Sequence, residues 1–318
     1  MYFWQHFFIK RNKLGQTNHK YKYWGFGLKI VSDMEFPELL VYDFDIPDVE
    51  YIVGEVPDSI EGTTISAKSF SYIINDRALL FTVNDVARYY ATDGHQIVIE
   101  PSRPMQDSRS VRLYVLATVM AAVLLHRNSL PIHASAIKQG EGLALITGDS
   151  HAGKSTTLAG MHRKGYTVFS DDVVVLQNDV SGVRVAASYP MIKLWDDTLE
   201  KMNDAQFEDR SFRIQQNMDK YGFFFHDQFD RNRYPVEKVF VLKIRDIPEL
   251  THRTLSGKDA FEALVGQVYR PMLLQGNELK RLCFLMVSDI VKKNSVVEIR
   301  RPIACDADQL VDYLETLL

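Results

Sequence analysis

The chain has little of several things, and each shortage narrows the reading. Cysteine is nearly absent: Cys283 and Cys305 are the two in 318 residues, too few for a disulfide framework or a four-thiolate zinc site. There is no basic excess. The formal charge of −4 argues against a generally nucleic-acid-binding protein. No very long apolar run is present, and the longest, Leu113 to Leu125, falls short of a bilayer span. The aromatic opening Met1 to Ile9 lacks a basic n-region and a small-residue cleavage site, so it makes a poor signal peptide. Acid is missing from the start: Lys10, Arg11, Lys13, Lys20, Lys22 and Lys29 all precede Asp33, the first carboxylate. That stretch reads as a solvated basic arm, or as a docking surface for something anionic. What remains is an ordinary composition, 46% hydrophobic and 25% charged, and a length of about two domains. A cytoplasmic chain is expected.

Two halves differ in pattern. Residues 21–100 read as mostly β, with Phe70 to Ile74 and Ala78 to Val83 joined at Asn75-Asp76, and a hairpin at Asp93-Gly94. Residues 108–127 carry apolar side chains at helical spacing on most sides, capped by Asp107 or Ser108, and predict a buried helix. From Leu130 the pattern becomes strand, turn, helix, strand. Pro101 and Pro104 place a boundary near residue 105, giving a β-rich domain over 1–104 and a second domain over 105–318. Lys238 to Ile244 predicts a strand. Helices are predicted over 258–270, 278–292 and 307–317, the last capped by Asp306.

The chemistry concentrates after Leu143. Gly148-Asp149-Ser150-His151-Ala152-Gly153-Lys154-Ser155 satisfies G-x-x-x-x-G-K-[ST] at every fixed position, between an apolar strand and a helix that includes Thr156 and ends near Gly165. Glycines there let backbone amides approach phosphate oxygens, and the helix N-terminus adds partial positive charge. Lys154 suits the β- and γ-phosphates, and Ser155 suits a nucleotide-borne Mg²⁺. A second strand ends at Asp171-Asp172, carboxylates of the kind that hold Mg²⁺ or orient a nucleophile beside a phosphate loop. On extended backbone the two would face opposite sides and take different roles. His133 precedes the loop strand, and a hairpin of 130–138 with 142–147 would bring it towards the loop.

These residues together resemble the catalytic domain of the bacterial HPr kinase/phosphorylase family. His133 lies 21 residues before Lys154, and Asp171 and Asp172 lie 17 and 18 after it, intervals similar to that family's. Tyr23-Trp-Gly-Phe-Gly-Leu28, with Ser32-Asp33 and Phe36-Pro-Glu-Leu39, resembles the beginning of HPr-kinase-like proteins of peptide-tailoring systems, including kinases of lasso-peptide precursors.

The resemblance implies an α/β (α+β) fold, an HPr-kinase/PEP-carboxykinase-like P-loop catalytic domain with a smaller β-rich N-terminal domain. It implies an ATP- and Mg²⁺-dependent kinase acting on a serine hydroxyl of a peptide or protein, with Asp172 as general base and His133 assisting. Lys154 would steady the phosphoryl group, Ser155 would hold Mg²⁺, and Asp171 would act as a metal or supporting carboxylate. No membrane or nucleic-acid partner is implied, and an oligomer is left open. The chain also departs from that family. His151 and Ala152 replace small loop residues, Thr156 replaces a usual glutamate, and an acidic residue followed by Arg-Gly-Leu-Gly is missing. Pro190-Met-Ile-Lys-Leu-Trp-Asp196-Asp197 stands in its place, with Asp196 as a candidate metal ligand. The departures favour a substrate other than HPr. A small-molecule kinase and a non-catalytic nucleotide-binding module remain the alternatives. Tyr221 to His226 with Arg231, Arg233 and Tyr234 is a further candidate contact for base or acceptor, and Arg300-Arg301 reads as solvated.

Overall fold

The computed structural model describes residues 20–102, 108–202, 204–216 and 218–318. The start of the basic arm (Lys10, Arg11 and Lys13), the aromatic opening, Pro104, the Asp107 cap and the boundary near 105 lie outside them.

Alternation of apolar and polar side chains builds the first sheet. Its strands are β1 (Tyr21–Gly25), β2 (Leu28–Ser32), β3 (Leu40–Val41), β4 (Val49–Val53), β5 (Thr63–Ser66), β6 (Phe70–Ile74), β7 (Ala78–Val83), β8 (Ala87–Thr92) and β9 (Gln96–Pro101). They lie in the order β3-β1-β2-β4-β9-β8-β7-β6-β5. In β8 the side chains of Ala87, Tyr89 and Ala91 are buried while Arg88, Tyr90 and Thr92 are less so, the period of two that a half-buried strand requires. Two hairpins turn on positive-φ pairs: Asp93-Gly94 at +52° and +71°, and Phe26-Gly27 at +59° and +76°. A phenylalanine is costly in that region, so Phe26 must be held by something else.

The predicted buried helix is present. It runs as α1 (Ser108–Tyr114), a π-helical stretch over Val115–Val119, and α2 (Met120–His126). At 19 residues it is long and apolar enough to cross a membrane by length and composition, but most of it is buried inside the protein. Tyr89 Oη donates to Val111 O at 3.1 Å, tying the helix to the first sheet. Buried side chains of the first sheet, the helix and one face of the second sheet form one continuous apolar cluster.

The second part contains β10 (Leu130–Ile132), β11 (Ala134–Gln139), β12 (Gly142–Gly148), α3 (Lys154–Arg163), β13 (Val168–Ser170), β14 (Val174–Asp179), β15 (Gly182–Ala187), β16 (Met191–Trp195), α4 (Asp196–Met202), β17 (Arg213–Gln215), β18 (Met218–Phe224), β19 (Tyr234–Arg245), β20 (Thr251–Leu255), α5 (Gly257–Val265), α6 (Gly276–Lys293), β21 (Ser295–Pro302) and α7 (Ala307–Glu315). The second sheet runs β10-β14-β15-β19-β12-β11-β13, with β21 and then β20 added beside β19. β12, β19 and β21 are mutually parallel, and antiparallel strands flank them. A three-stranded sheet, β16-β18-β17, stands apart. The architecture is therefore mixed α/β.

Two expectations are corrected. The helix over 258–270 ends at Val265, because the chain beyond it pairs with β10: Tyr269 N donates to Pro131 O at 2.9 Å, and Val268 bridges Ile132. Tertiary pairing overrides helical propensity there. Asp171-Asp172 is not extended, since Asp172 sits at φ +66°.

Candidate active site

Parallel pairing sets the stage. β12, β19 and β21 end on the same side, and open parallel sheets bind ligands beyond those carboxyl ends. The loop Gly148–Ser155 leaves β12 there and enters α3. Gly148 is at φ +142°, and a Cβ on it would lie 2.5 Å from Leu242 O, so only glycine fits. Gly153, at φ +102°, is the residue before the helix. His151 also takes a positive φ, +64°. Such left-handed turns point backbone amides into a concavity suited to anions.

Side chains from distant elements close around this loop. Lys154 is buried, and its Nζ donates to Gly148 O at 2.9 Å and Asp149 O at 3.0 Å. Gly148 N donates to Gln267 Oε1 at 3.0 Å. Lys243, at the end of β19, contacts both Asp149 carboxylate oxygens at 3.1 and 3.0 Å. Arg301, at the end of β21, donates from Nε to Ala152 O at 3.0 Å. Arg301 therefore belongs to the loop, a correction to its reading as solvated, while Arg300 pairs with Glu298 at 2.7 Å. Thr156 Oγ1 lies 3.5 Å from Thr198 Oγ1, and Ser150 is exposed beside the loop cavity.

The aspartates differ in environment. Asp171 is 1% exposed. Its Oδ1 accepts from Ser135 Oγ at 2.7 Å and Ser155 Oγ at 3.0 Å, and its Oδ2 accepts from Lys193 N at 2.9 Å. Asp172 Oδ2 accepts from Lys193 Nζ at 2.7 Å. Burial pushes the Asp172 carboxyl up, but Lys193, His133 and Lys220 together hold it well below the usual carboxylate range. Lys193 is pushed down by burial, yet Asp172 and neighbouring tyrosines keep it firmly charged.

His133 occupies the break between β10 and β11. Its backbone N–H donates to Gln267 O at 2.7 Å. Its Nδ1 lies 2.7 Å from Asp172 O and 3.5 Å from Asp172 Oδ1. A carbonyl only accepts, so Nδ1 carries the proton. Burial, only partly offset by Asp172, lowers the imidazole's pKa, which favours the neutral ring with Nε2 as acceptor. Burial likewise lowers the Lys154 ammonium against the pull of Asp172 and Asp171.

The structure thus brings Lys154, Ser155, Asp171, Asp172 and His133 together. Asp196 is placed differently: it opens α4, and its carboxylate accepts from Arg210 Nε at 2.8 Å. Among the described residues no group of three or more His, Cys, Asp or Glu side chains could hold a metal ion. Mg²⁺ does not require one, since it commonly takes one or two protein oxygens plus phosphates and water. Ser155 Oγ against Asp171 fits that donor set, with Asp171 orienting the hydroxyl. Sequence reasoning missed Ser135, Lys193, Lys220, Lys243 and Gln267. For Lys243 a signal existed, as it stands at the carboxyl end of a predicted strand.

A cavity of about 320 Å³ flanks the loop, bounded by His133, Gly148 to Ser150 and the segment Gly266 to Met272. A larger one, about 630 Å³, lies away from the loop between Trp24 and Lys29 on one side and Asp227 to Asn232 on the other. Arg231 stacks at 4.0 Å on Tyr42 beside it.

No protein-family model matches the sequence, and no curated protein does. Among solved structures, the chain is similar to the Hpr(Ser) kinase/phosphatase from Coxiella burnetii at 14% identity, covering 59% of this chain and 92% of that one, with a TM-score of 0.29, which is a weak likeness of fold.

Proposed function

We propose that the protein is an ATP- and Mg²⁺-dependent kinase that transfers the γ-phosphoryl group to a serine hydroxyl of a peptide or protein. The observation that carries this is the 3.0 Å hydrogen bond from Ser155 Oγ to Asp171 Oδ1, with Asp172 one residue on. A loop that only bound nucleotide would not need a second carboxylate held by its own histidine and lysine.

Loop amides and Lys154 would cradle the phosphates. Bound at Ser155, Mg²⁺ would neutralise charge on the β- and γ-oxygens. The acceptor hydroxyl would enter from the cavity beside His133. Its oxygen forms the new bond to the γ-phosphorus as the bond to the β-bridging oxygen breaks, its proton passes to Asp172, and ADP leaves. A carboxylate with a depressed pKa is a weak base. In a loose phosphoryl-transfer transition state the proton leaves late, so orientation matters more than basicity. His133, neutral and donating to Asp172 O, holds that carboxylate in its strained backbone position.

The resemblance to lasso-peptide precursor kinases makes a ribosomal precursor peptide, phosphorylated at a C-terminal serine, the specific substrate proposal. The test is incubation with γ-labelled ATP, Mg²⁺, precursor peptides and small hydroxyl compounds, followed by mass spectrometry. Phosphoserine on a peptide supports the proposal. Label only on a metabolite makes the protein a small-molecule kinase. Nucleotide binding without transfer makes it a regulatory module, and no binding at all removes the reading.

A further inference from the structure

Three lysines and two aspartates crowd the site. Lys193 is committed to Asp172 at 2.7 Å. Lys154 is committed to loop carbonyls. Lys220 is different: its electrostatic neighbours are Asp172, Asp171 and Lys193, it acts in turn on Lys154, and no ion pair or hydrogen bond of its side chain is seen among the described residues. The set therefore carries one more positive charge than negative before any ligand arrives.

The position of Lys220 is built by a hairpin. β16 and β18 pair antiparallel with Trp195 opposite Lys220 and Lys193 opposite Gly222. Side chains two apart on a strand share a face, so Lys193 and Trp195 look the same way. Lys220 Nζ lies 5.3 Å from the Trp195 ring centre. Trp195 in turn stacks on His151 of the phosphate loop, with ring centres 5.6 Å apart and planes at 28°. The ammonium is thus one aromatic ring away from the loop, braced on its face by a cation–π contact.

We infer that Lys220 is a second phosphate-binding cation of this site, which reads the γ-phosphoryl group of a bound nucleoside triphosphate. Burial lowers its pKa and makes the free charge costly, and an incoming anionic phosphoryl group would offset that cost. Lys154 sits at the base of the loop, so a cation on the separate hairpin completes the neutralisation as charge spreads over the transferring group. The inference rests on the nucleotide reading of the loop and adds to it a residue and a discrimination.

Calorimetric titration with MgADP and with the magnesium complex of the non-hydrolysable ATP analogue AMPPNP tests it, using wild type, Lys220→Met and Lys220→Arg. Lys220→Met is expected to weaken AMPPNP about 10- to 100-fold, the scale of a lost charge-assisted hydrogen bond, while MgADP stays within about two-fold. Retained MgADP affinity shows that the variant is folded, and Lys220→Arg is expected to restore most of the triphosphate affinity. Equal weakening of both nucleotides would give Lys220 a merely structural role and overturn the inference, as would no weakening of either. If wild type binds neither nucleotide, the nucleotide reading itself fails and the inference goes with it.

Discussion

The two sheets bury different things. The first is closed by apolar and aromatic side chains such as Phe36, Tyr51, Leu79, Tyr89 and Ile99. Around the phosphate loop the second part of the chain buries Ser135, Thr147, Lys154, Ser170, Asp171, Ser188 and Lys193. Burying polar groups is costly unless each is paired, and here each has a hydrogen-bond partner. Ser170 Oγ donates to Val173 O, Ser188 N donates to Ser170 Oγ, and Ser188 Oγ reaches Asp171 O. The interior of the first sheet is mostly apolar, with the Arg112–Glu38 pair as a buried exception, whereas the surroundings of the loop are dominated by paired polar and charged groups.

The two are joined at Phe26. Its strained turn is held because Phe26 N donates to Ser188 O at 2.6 Å and its ring packs edge-on against Tyr189 at 5.4 Å. Lys193 Nζ lies 5.3 Å above the Tyr189 ring, and Lys193 holds Asp172. A chain of contacts thus runs from a β-hairpin of the first sheet to the proposed base.

The largest expected effect lies in the polar half. Asp172→Asn should cut phosphoryl transfer by about three orders of magnitude while leaving nucleotide affinity nearly intact. Asparagine tolerates the positive φ at this position, so the backbone should persist. The variant strands buried Lys193, and urea unfolding should show a loss of about 3–5 kcal/mol. Adding Lys193→Met should recover much of that stability and none of the activity. A double variant as unstable as Asp172→Asn alone would show that the pair does not act as a unit.

Phe26→Ala tests the joint. Removing a buried ring should cost about 3–5 kcal/mol in chemical unfolding. Unlike an equal cavity elsewhere in the first sheet, it should also lower transfer under conditions where the variant remains folded. Phe81→Ala is the control, since Phe81 packs on Tyr89 and Tyr114 rather than on Tyr189. If both variants lower turnover equally, the hairpin has no special link to the site.

Acid should separate the regions more gently. Burial lowers the pKa of His133 and of His126, at the end of the helix, below the ordinary 6.5. A histidine with a lowered folded pKa takes up its proton first in the unfolded chain. Stability is therefore full above about pH 6.5 and is lost as pH falls from there towards the folded pKa, with each tenfold drop in the folded ring's proton affinity worth about 1.4 kcal/mol. Replacing either residue by glutamine should flatten the pH dependence of unfolding. Only His133→Gln should also move the pH profile of transfer.

The legible parts of the molecule were those whose constraints are local. The phosphate loop, the Asp171-Asp172 pair and the helix at 108–126 are each written within about twenty consecutive residues. Lys193, Lys220, Gln267 and Arg301 are not, because their approach depends on the β16–β18 hairpin, the pairing of Tyr269 with Pro131 and the parallel alignment of β12, β19 and β21. Asp172 shows the same limit on a small scale. Its neighbours in sequence suggest extended backbone, and the contacts from His133 and Lys193 hold it elsewhere.

The smallest expected effect has the opposite sign. Tyr51 is fully buried in the first sheet against Phe36, and its hydroxyl has no hydrogen-bond partner among the described residues. A buried hydroxyl without a protein partner contributes little hydrogen-bonding stability. Tyr51→Phe removes that group and keeps the ring, so it should leave stability unchanged or raise it by about 1 kcal/mol. Transfer activity should not change, because Tyr51 lies on the apolar side of the Phe26 joint. Ser135→Ala makes the matching change in the second sheet: it deletes a hydroxyl that does have a partner, Asp171 at 2.7 Å. It should lose about 1–3 kcal/mol and disturb the setting of Ser155. Urea unfolding of the two variants side by side decides the matter. If Tyr51→Phe destabilises as much as Ser135→Ala, the contrast between an apolar supporting sheet and a polar working one is not real.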